Sequence, residues 1–362
     1  MSSLREIASA FLRLGFTAFG GPAAHVALME RELVDKRRWL TREELVELYG
    51  AASLIPGPNS TELAIHIGYR RAGAAGLLVA GACFILPGAL LTALLAWAYL
   101  RFGALPAASS LLAGLQPAVM GVVAAAVARL GRTALRGAPE IAVGIGAALA
   151  GALGVQELWV LLGAGLLLAA VPLARSRARL MLAPLAAAAA PGAGGLFLVF
   201  LKIGSVLYGS GYVLIAFLRT ELVAGRGWLT ERQLLDAVAA GQVTPGPVSS
   251  TSTFVGYLLG GPGGAAAATL GMFLPAFLFV AVSAPLLAVM RRSAVAAAFL
   301  RGVNAASIGL VAAVLVELGQ AALAWPPAWI ILALSAALAF FTRAEPTLLL
   351  AGGALAGLLL RH

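Results

Sequence analysis

Two Pro-Gly-Pro tripeptides interrupt long apolar stretches of this chain, and small hydroxyl or amide residues follow each of them. The first run is Pro56-Gly57-Pro58-Asn59-Ser60-Thr61, and the second is Pro245-Gly246-Pro247-Val248-Ser249-Ser250-Thr251. Proline removes a backbone donor and disfavours helical geometry in the residue before it, so each tripeptide must break a helix. The residues after each break are typical of helix starts, where N–H groups lack intrahelical acceptors. The pattern predicts two half-helix N-termini that bind an anion.

Two cations stand at equivalent places in apolar segments before these breaks. Arg13 and Lys202 are 189 residues apart, the same offset that separates Pro56 from Pro245. An ionisable group at depth in a membrane is costly and is by default a functional hypothesis. Arginine and lysine together would supply charge and donors to a divalent oxyanion. The alternative is that both side chains snorkel to opposite interfaces.

Glycine-rich interruptions follow both cations. Gly20-Gly21-Pro22 and Gly209-Ser210-Gly211 would allow an anion to approach backbone N–H groups, although glycine also serves tight helix packing. The titratable residues near the breaks are candidates for proton coupling, or else merely satisfied polar residues; these residues are His25, Glu62 and His66. Gln116 and Asn304, polar residues in apolar helices, favour interhelical hydrogen bonding over a ligand role.

Composition excludes a soluble protein. The 362 residues are 61% hydrophobic and 11% charged, with a mean hydropathy of +0.96, whereas soluble domains carry about 25% charged residues. The net charge of +10 lies in short loops, which favours membrane orientation over nucleic-acid binding. The single cysteine, Cys83, excludes an intrachain disulfide, and no Walker A, HExxH or nucleophile-elbow motif occurs. We therefore expect a polytopic membrane protein that is not an enzyme and that holds no cofactor or metal.

An internal repeat organises the chain. An offset of 189 aligns Trp39-Leu40-Thr41 with Trp228-Leu229-Thr230 and both Pro-Gly-Pro tripeptides, and an offset of 188 then aligns Pro87 with Pro275. The duplicated units are residues 8–130 and 197–318, and a helical hairpin follows each at 139–174 and 327–360. This predicts two repeats, 1–179 and 180–362. The first unit is expected to contain a broken helix from Ile7 to Val26, a charged loop or surface helix at 29–47, a broken segment at 48–68, and helices at 74–100 and 110–130.

Basic residues fall on different loops in the two units. Arg70, Arg71 and the 129–136 region are basic in the first unit, but the equivalent loops of the second unit contain no basic residue. The exchange predicts an inverted repeat that obeys the positive-inside rule, with the Pro-Gly-Pro segments re-entrant. The alternative is a parallel duplication with fortuitous charge drift.

Taken together, the run Phe19-Gly20-Gly21-Pro22-Ala23-Ala24-His25, the Trp39-Leu40-Thr41 run and the duplicated Pro-Gly-Pro resemble the chromate ion transporter family. The resemblance covers nearly the whole chain and implies an inner-membrane protein that exports chromate and confers chromate resistance, with sulfate as the structural analogue. It also implies two halves of opposite topology. The second unit departs from the first, with Tyr208-Gly209-Ser210-Gly211 in place of Phe19-Gly20-Gly21-Pro22.

The expected protein is thus an all-α polytopic carrier in the lipid bilayer of the inner (plasma) membrane, moving a tetrahedral dianion by secondary transport. Two rival functions stay open: a permease for sulfate or another oxyanion, and a membrane-embedded enzyme or structural subunit without transport. Direction, coupling ion and assembly as a homodimer also stay open.

Overall fold

A computed structural model describes residues 4–19, 22–103, 105–174, 192–208, 211–283, 293–323, 325–342 and 344–360, and it contains helices but no strand over these ranges. In the first unit the helices are α1 (Leu4–Thr17), α2 (Pro22–Met29), α3 (Arg42–Ala52), α4 (Asn59–Phe102), α5 (Pro106–Ala134), α6 (Ala138–Ala152) and α7 (Glu157–Ala174). A π-helical stretch, Glu30–Lys36, continues α2.

The second unit repeats this plan. Its helices are α8 (Ala193–Val206), α9 (Val213–Leu218), α10 (Glu231–Val243), α11 (Thr251–Ser283), α12 (Ala294–Ala322), α13 (Pro326–Phe341) and α14 (Pro346–Leu360). A π-helical stretch, Arg219–Ala224, continues α9 as its counterpart does in the first unit. The bounds match the predicted hairpins to within a few residues. The boundary predicted near residue 179 lies outside the described residues.

Four helices in the described part of the chain are long and apolar enough to cross a membrane: α4, α5, the segment Val248–Ser283 that includes α11, and α12. A span needs about 20 apolar residues. The shorter helices are half-length pieces such as α1, with 14 residues, whose rise of about 1.5 Å per residue gives roughly 21 Å. Within the described residues, each unit therefore has three short helices, then two long ones, then a hairpin of two shorter helices.

The helix that follows each Pro-Gly-Pro folds back on itself. In α4 the backbone leaves helical geometry at Ala72 and Gly73, and in α11 it does so at Gly260 and Gly261. Both second residues have positive φ, 58° and 57°, which favours glycine. In α11 the hydroxyls of Thr253, in the first arm, and of Thr269, in the second, are 2.7 Å apart. Each element is thus a short arm and a long arm packed side by side.

The long arms of α4 and α11 pack against each other in opposite directions. A Cβ on Gly81 would stand 2.4 Å from the Phe277 ring, and one on Gly88 would stand 3.0 Å from the Ser250 hydroxyl. The short arm of α11 folds back so that Thr253 lies beside Thr269 of the long arm. Ser250, just before the short arm, therefore lies beside a part of the long arm that precedes Phe277. Moving forward along α4 therefore moves backward along α11, and the corresponding spans of the two units run antiparallel.

The terminal hairpins pack across the repeat. Gly114 and Gly121 of α5 lie against α14 and α13, and at the equivalent positions Gly302 and Gly309 of α12 lie against α7 and α6. Each hairpin therefore covers the long helix of the other unit. The two repeats are intertwined rather than packed as separate globules.

Gly309→Ala is expected to lower the free energy of unfolding by about 1–3 kcal/mol, because the added Cβ would stand 2.1 Å from the Gly144 carbonyl oxygen in the opposite hairpin. Gly319 lies on the same helix with no heavy atom closer than 3.9 Å to its added Cβ. Gly319→Ala is the control and should leave the protein at least as stable, since alanine favours helix. Thermal unfolding in detergent measures both; equal losses would show that the contact at Gly309 does not limit packing.

Candidate functional site

A cavity of about 1150 Å³ opens between the two units. The first unit contributes α1, α2 with its π-helical extension, α3, the start of α4 and the end of α5. The second unit contributes α9, the middle of α12 and the connection between α13 and α14. Elements from both repeats must be present for this cavity to form, so it is a property of the intertwined fold.

The charged residues of the cavity wall carry a net positive charge. Its basic side chains are Arg13, Arg31, Lys36 and Arg129, against the acidic Glu32 and Glu345. Two contacts join α4 to the segment before it: Glu44 of α3 pairs with Arg70 at the end of the short arm of α4, and Arg71 stacks on Trp39 at 5.0 Å. An anion in this cavity would meet an excess of positive charge in a partly water-excluded space, where charges interact more strongly than in bulk water.

The first Pro-Gly-Pro ends at the cavity. Asn59, the first residue of α4, lines it, and Pro58 is the N-cap with extended geometry. The Thr61 N–H donates to the Pro58 carbonyl at 2.6 Å, and the Ser250 N–H donates to the Pro247 carbonyl at 2.9 Å at the equivalent place. The remaining N–H groups of the first turn of α4 have no intrahelical acceptor. The positive end of this half-helix therefore lies beside the cationic wall.

The glycines of the two tripeptides form reciprocal bonds across the repeat. The Gly57 N–H donates to the Leu207 carbonyl at 2.5 Å, and the Gly246 N–H donates to the Ala18 carbonyl at 2.9 Å. Leu207 and Ala18 follow the first helices of the two units at the 189-residue offset. Each Pro-Gly-Pro is thus joined to the broken first helix of the opposite unit.

Buried polar side chains surround both tripeptides. His25 Nδ1 lies 3.1 Å from the Ser60 hydroxyl, while the fully buried Glu62 folds back against the Cα of Gly57. Further polar atoms are buried without a hydrogen-bond partner among the described residues: Asn59 Oδ1, Thr61 Oγ1, Glu62 Oε1 and Oε2, His25 Nε2, His66 Nε2, Ser249 Oγ, Ser250 Oγ and Ser252 Oγ. Buried polar groups ordinarily find partners, so this concentration is consistent with a site that receives water, protons or a polar ligand.

Two equivalent charge clusters flank the breaks. Cluster 1 is Arg13, Glu32, Arg37 and Glu345, and cluster 2 is Lys202, Glu221, Arg226 and Glu157. In cluster 1, Arg13 is 4.0 Å from Glu32 and its side chain is 64% exposed. In cluster 2, Lys202 is 2.5 Å from Glu221 and its side chain is 13% exposed.

The two central glutamates are held ionised by their partners. Burial acts to raise the pKa of Glu221, but hydrogen bonds and charge from Lys202 and Arg226 outweigh it and lower that pKa. Burial likewise acts to raise the pKa of Glu32, but hydrogen bonds and charge from Arg37 and Lys36 outweigh it and lower that pKa. Glu32 is therefore held ionised in a cluster that is open to the cavity, whereas Glu221 is held ionised in a closed cluster whose Lys202, Glu221 and Arg226 side chains are largely buried.

The sequence profile of the chromate transporter family matches residues 5–169 and 194–358, one match for each repeat. The chain belongs to the chromate transporter family. A "Chromate transport protein" of Pseudomonas aeruginosa is 36% identical over 341 residues, which is 88% of this chain and 82% of the relative. A protein of the same name from Cupriavidus metallidurans is 34% identical over 375 residues, covering 98% and 93%. No solved structure matches the chain.

The residues predicted to bind the anion lie in different parts of the site, and four of them lie outside the described residues. Arg13 and Asn59 line the cavity, and Gly211 packs beside Val248 at the second break. Pro56-Gly57-Pro58 and Pro245-Gly246-Pro247 form the turns before α4 and α11, with Ser60, Thr61, Ser249, Ser250 and Thr251 in the first residues after them. Pro22 begins α2, while Gly20, Gly21, Gly209 and Ser210 lie outside the described residues.

Lys202 does not line the cavity that contains Arg13 and is bonded to Glu221 instead. The sequence already contained the signal for this pairing, because the 189-residue offset that relates Arg13 to Lys202 also relates Glu32 to Glu221. The sequence pattern predicts a charged loop or surface helix at 29–47, which includes Glu32. It therefore misses the contacts of Glu32 with α1 and of its counterpart Glu221 with α8.

Other polar residues of the transporter were missed or placed differently. Arg31, Lys36 and Arg129 line the cavity, although the sequence assigned them to orienting loops. The predicted hydrogen-bonding role of Gln116 has a partner: its amide donates to the buried Asp236 at 2.7 Å. Asn304 differs, because it lines the cavity beside Ser307.

Proposed function

We propose that this chain is a secondary transporter that exports chromate from the cytoplasm across the inner membrane and thereby confers chromate resistance. The observation that carries the proposal is the cation-lined cavity that ends at the first Pro-Gly-Pro, in a chain of the chromate transporter family. A tetrahedral dianion needs positive charge and several donors, and this wall offers both. Sulfate, which shares that charge and shape, is expected to bind as an analogue.

The mechanism that best fits the geometry is alternating access by an inverted repeat. Corresponding spans run antiparallel, which supports units of opposite topology, and the two short arms fold back as re-entrant half-helices would. Cluster 1 lines an open cavity while its counterpart, cluster 2, is closed. If the two clusters exchanged these arrangements, the cavity beside cluster 1 would close and one beside cluster 2 would open. The same packing with the roles of the units reversed gives the opposite-facing state.

In this proposal the anion binds between the half-helix N-termini after the two Pro-Gly-Pro breaks. Asn59, Ser60 and Thr61 donate from the first unit, and Ser249, Ser250 and Thr251 donate from the second. Arg13 compensates charge in the state described here, and Lys202 does so in the opposite-facing state after leaving Glu221. Gly211, just before α9, lets the backbone approach the anion closely.

The charge of the cavity wall supports the proposed outward direction of transport. Under the positive-inside rule the face rich in Arg31, Lys36 and Arg129 is cytoplasmic, so anions are collected from the cytoplasm. An interior-negative potential favours expulsion of a dianion by about 4–5 kcal/mol per 100 mV. We propose that Glu62, His25 and His66 provide a proton route beside the anion, because they are buried next to the same turn.

Arg13→Ala is expected to reduce chromate export by at least about tenfold, the effect of losing a charge-assisted bond of about 1.5 kcal/mol or more. Its side chain is 64% exposed, so protein level in the membrane should not change. Arg5→Ala is the matched control, an exposed arginine on α1 that does not line the cavity. Export from chromate-loaded cells measures both variants; unchanged export by Arg13→Ala would remove Arg13 from the site.

A further inference from the structure

Arg129 lies at the cytoplasmic end of α5 as proposed above, and its role is not explained by membrane orientation alone. It lines the cavity, and its guanidinium donates to the Ala339 carbonyl at 2.9 Å, which fixes the side chain against the end of α13. No carboxylate of the described residues lies within ion-pair distance of it. One guanidinium edge is therefore held by the protein and the rest is free of counter-charge.

Polar side chains of the second unit line the same cavity. Asn304 and Ser307 are one turn apart on α12, and both line the cavity with Arg129. Ser307 is 2% exposed, and its hydroxyl has no hydrogen-bond partner among the described residues. An unpartnered buried hydroxyl carries a penalty of about 1–3 kcal/mol unless a ligand or water satisfies it. A cation of the first unit and two neutral hydrogen-bonding groups of the second therefore line the same cavity, and all three are distant in sequence from both Pro-Gly-Pro turns.

The equivalent place in the second unit has the opposite charge. The 188-residue offset relates Arg129 to Glu317, which forms an ion pair with Arg219. Arg219 itself corresponds to Glu30, which pairs with Arg42 at 2.5 Å and so is engaged elsewhere. The two equivalent positions thus carry opposite charges. Arg129 of the first unit has no carboxylate partner among the described residues, whereas Glu317 is neutralised by Arg219 in the second. At this position only the first unit therefore offers an anion a cation without a counter-charge.

We propose that Arg129, Asn304 and Ser307 form a capture site for a tetrahedral oxyanion at the mouth of the cavity, before the site between the half-helices. This inference rests on the proposed function. Arginine offers several donors in a planar fork, while the serine hydroxyl and the asparagine amide add donors from the facing helix. Because the second unit lacks an equivalent, the capture site acts only on the cytoplasmic side and favours loading over return.

A free oxyanion and the phosphate of an anionic lipid share this chemistry, and we assign the site to the free anion. Arg129 lines the cavity together with Tyr49 of α3, with Ser53 just after α3 and with Tyr212, so the approach is through a passage between the repeats. A site that served a lipid headgroup would instead be expected to respond to bilayer composition. The test below separates the two sources.

A reporter cysteine at Thr133 tests the site without depending on transport. Thr133 lines the cavity about one turn after Arg129, and its hydroxyl donates only to the Leu130 carbonyl. In a Cys83→Ala background, Thr133→Cys is treated with an anionic and a cationic thiol reagent, in nanodiscs of phosphatidylcholine with and without sulfate. Arg129→Gln should lower the ratio of anionic to cationic reaction rates about tenfold, and sulfate should slow the reaction only when Arg129 is present.

Arg132→Gln is the matched control, because Arg132 is on the same helix but stacks on Phe340 at 4.6 Å and does not line the cavity. It should change the rate ratio less than about twofold. Arg129→Lys should keep the ratio and thus separate charge from folding.

Equal effects of Arg129→Gln and Arg132→Gln, or no slowing by sulfate when Arg129 is present, would overturn the site. Slowing that requires phosphatidylglycerol and ignores sulfate would overturn the assignment to a free anion. Sulfate protection in a protein that transports no oxyanion would instead leave the site standing and overturn the proposed function.

Discussion

Gly57→Ala is expected to abolish chromate export while the protein still inserts in the membrane. Gly57 has a φ of 140°, where an L side chain is strained, and its Cβ would stand 1.8 Å from Glu62 Oε1. The strain alone amounts to about 1–3 kcal/mol, and relief of it must move either Glu62 or the turn. Because the Gly57 N–H is bonded to Leu207 of the opposite unit, movement of the turn also breaks the contact between the repeats. We expect a loss of export of at least about tenfold.

The control is Gly50→Ala on α3, which has no heavy atom within 4 Å of its added Cβ. That change should leave export unaffected, since alanine favours helix. Protein level in the membrane and thermal unfolding in detergent separate a transport defect from a folding defect. Full export by Gly57→Ala would show that the first Pro-Gly-Pro turn can move without affecting the site.

Glu221→Gln is expected to destabilise the protein by about 3–5 kcal/mol, the usual effect of removing one partner from a buried ion pair. Glu221 bonds both Lys202 and Arg226 at 2.5 Å, and the side chains are 6%, 13% and 19% exposed. Neutral glutamine would leave two partly buried cations without a counter-charge. The change therefore acts on the closed cluster directly.

Glu32→Gln is the equivalent change in the open cluster and provides the control. Its partners Arg13, Lys36 and Arg37 are 64%, 50% and 27% exposed, so solvent screens them more than it screens Lys202 and Arg226, and the expected loss is smaller, about 1 kcal/mol. Thermal unfolding in detergent at neutral pH compares the two variants. Equal losses would contradict the difference between open and closed clusters on which alternating access rests.

The effect of Glu221→Gln should also depend on pH. Because its pKa in the folded protein is lowered, the stabilising contribution of Glu221 is present above the ordinary carboxyl range and is lost as the pH falls through the lowered value. The unfolding temperatures of wild type and Glu221→Gln should therefore converge as the solution is acidified.

The sequence predicted the helices of this fold well because proline and glycine act locally. Pro56 and Pro58 end α3 and begin α4 regardless of what surrounds them, and Gly73 and Gly261 supply the positive φ that each fold-back needs. The repeat offset also carries three-dimensional information. It relates the Gly57–Leu207 bond to the Gly246–Ala18 bond, although neither bond could be inferred before the broken helices were placed together.

The packing between units could not be predicted from spacing. Gly121 and Gly309 are small residues in long apolar helices, but a small residue does not specify which helix approaches it. The exchange of hairpins depends on the shapes of α5 and α12 as whole surfaces. The bond between Gln116 and Asp236 joins residues 120 positions apart, and nothing in the sequence around either one indicates the other.

The candidate site was predicted only in part, because only some of its residues belong to local sequence motifs. Asn59 and Arg13 belong to repeated motifs, and both line the cavity. Arg129 and Ser307 belong to no motif, and they lie together only because α5 of one unit and α12 of the other meet. Residues that converge through tertiary packing of intertwined repeats leave no local signature.

The central claim is tested most directly by chromate efflux from loaded proteoliposomes that contain the purified wild-type protein. Sulfate is added as competitor in one arm, and a proton ionophore in another. We expect chromate efflux that depends on the protein, responds to membrane potential and is inhibited only weakly by sulfate. Sulfate movement with chromate as a mere competitor would reassign the substrate. Absence of any oxyanion movement would contradict the account.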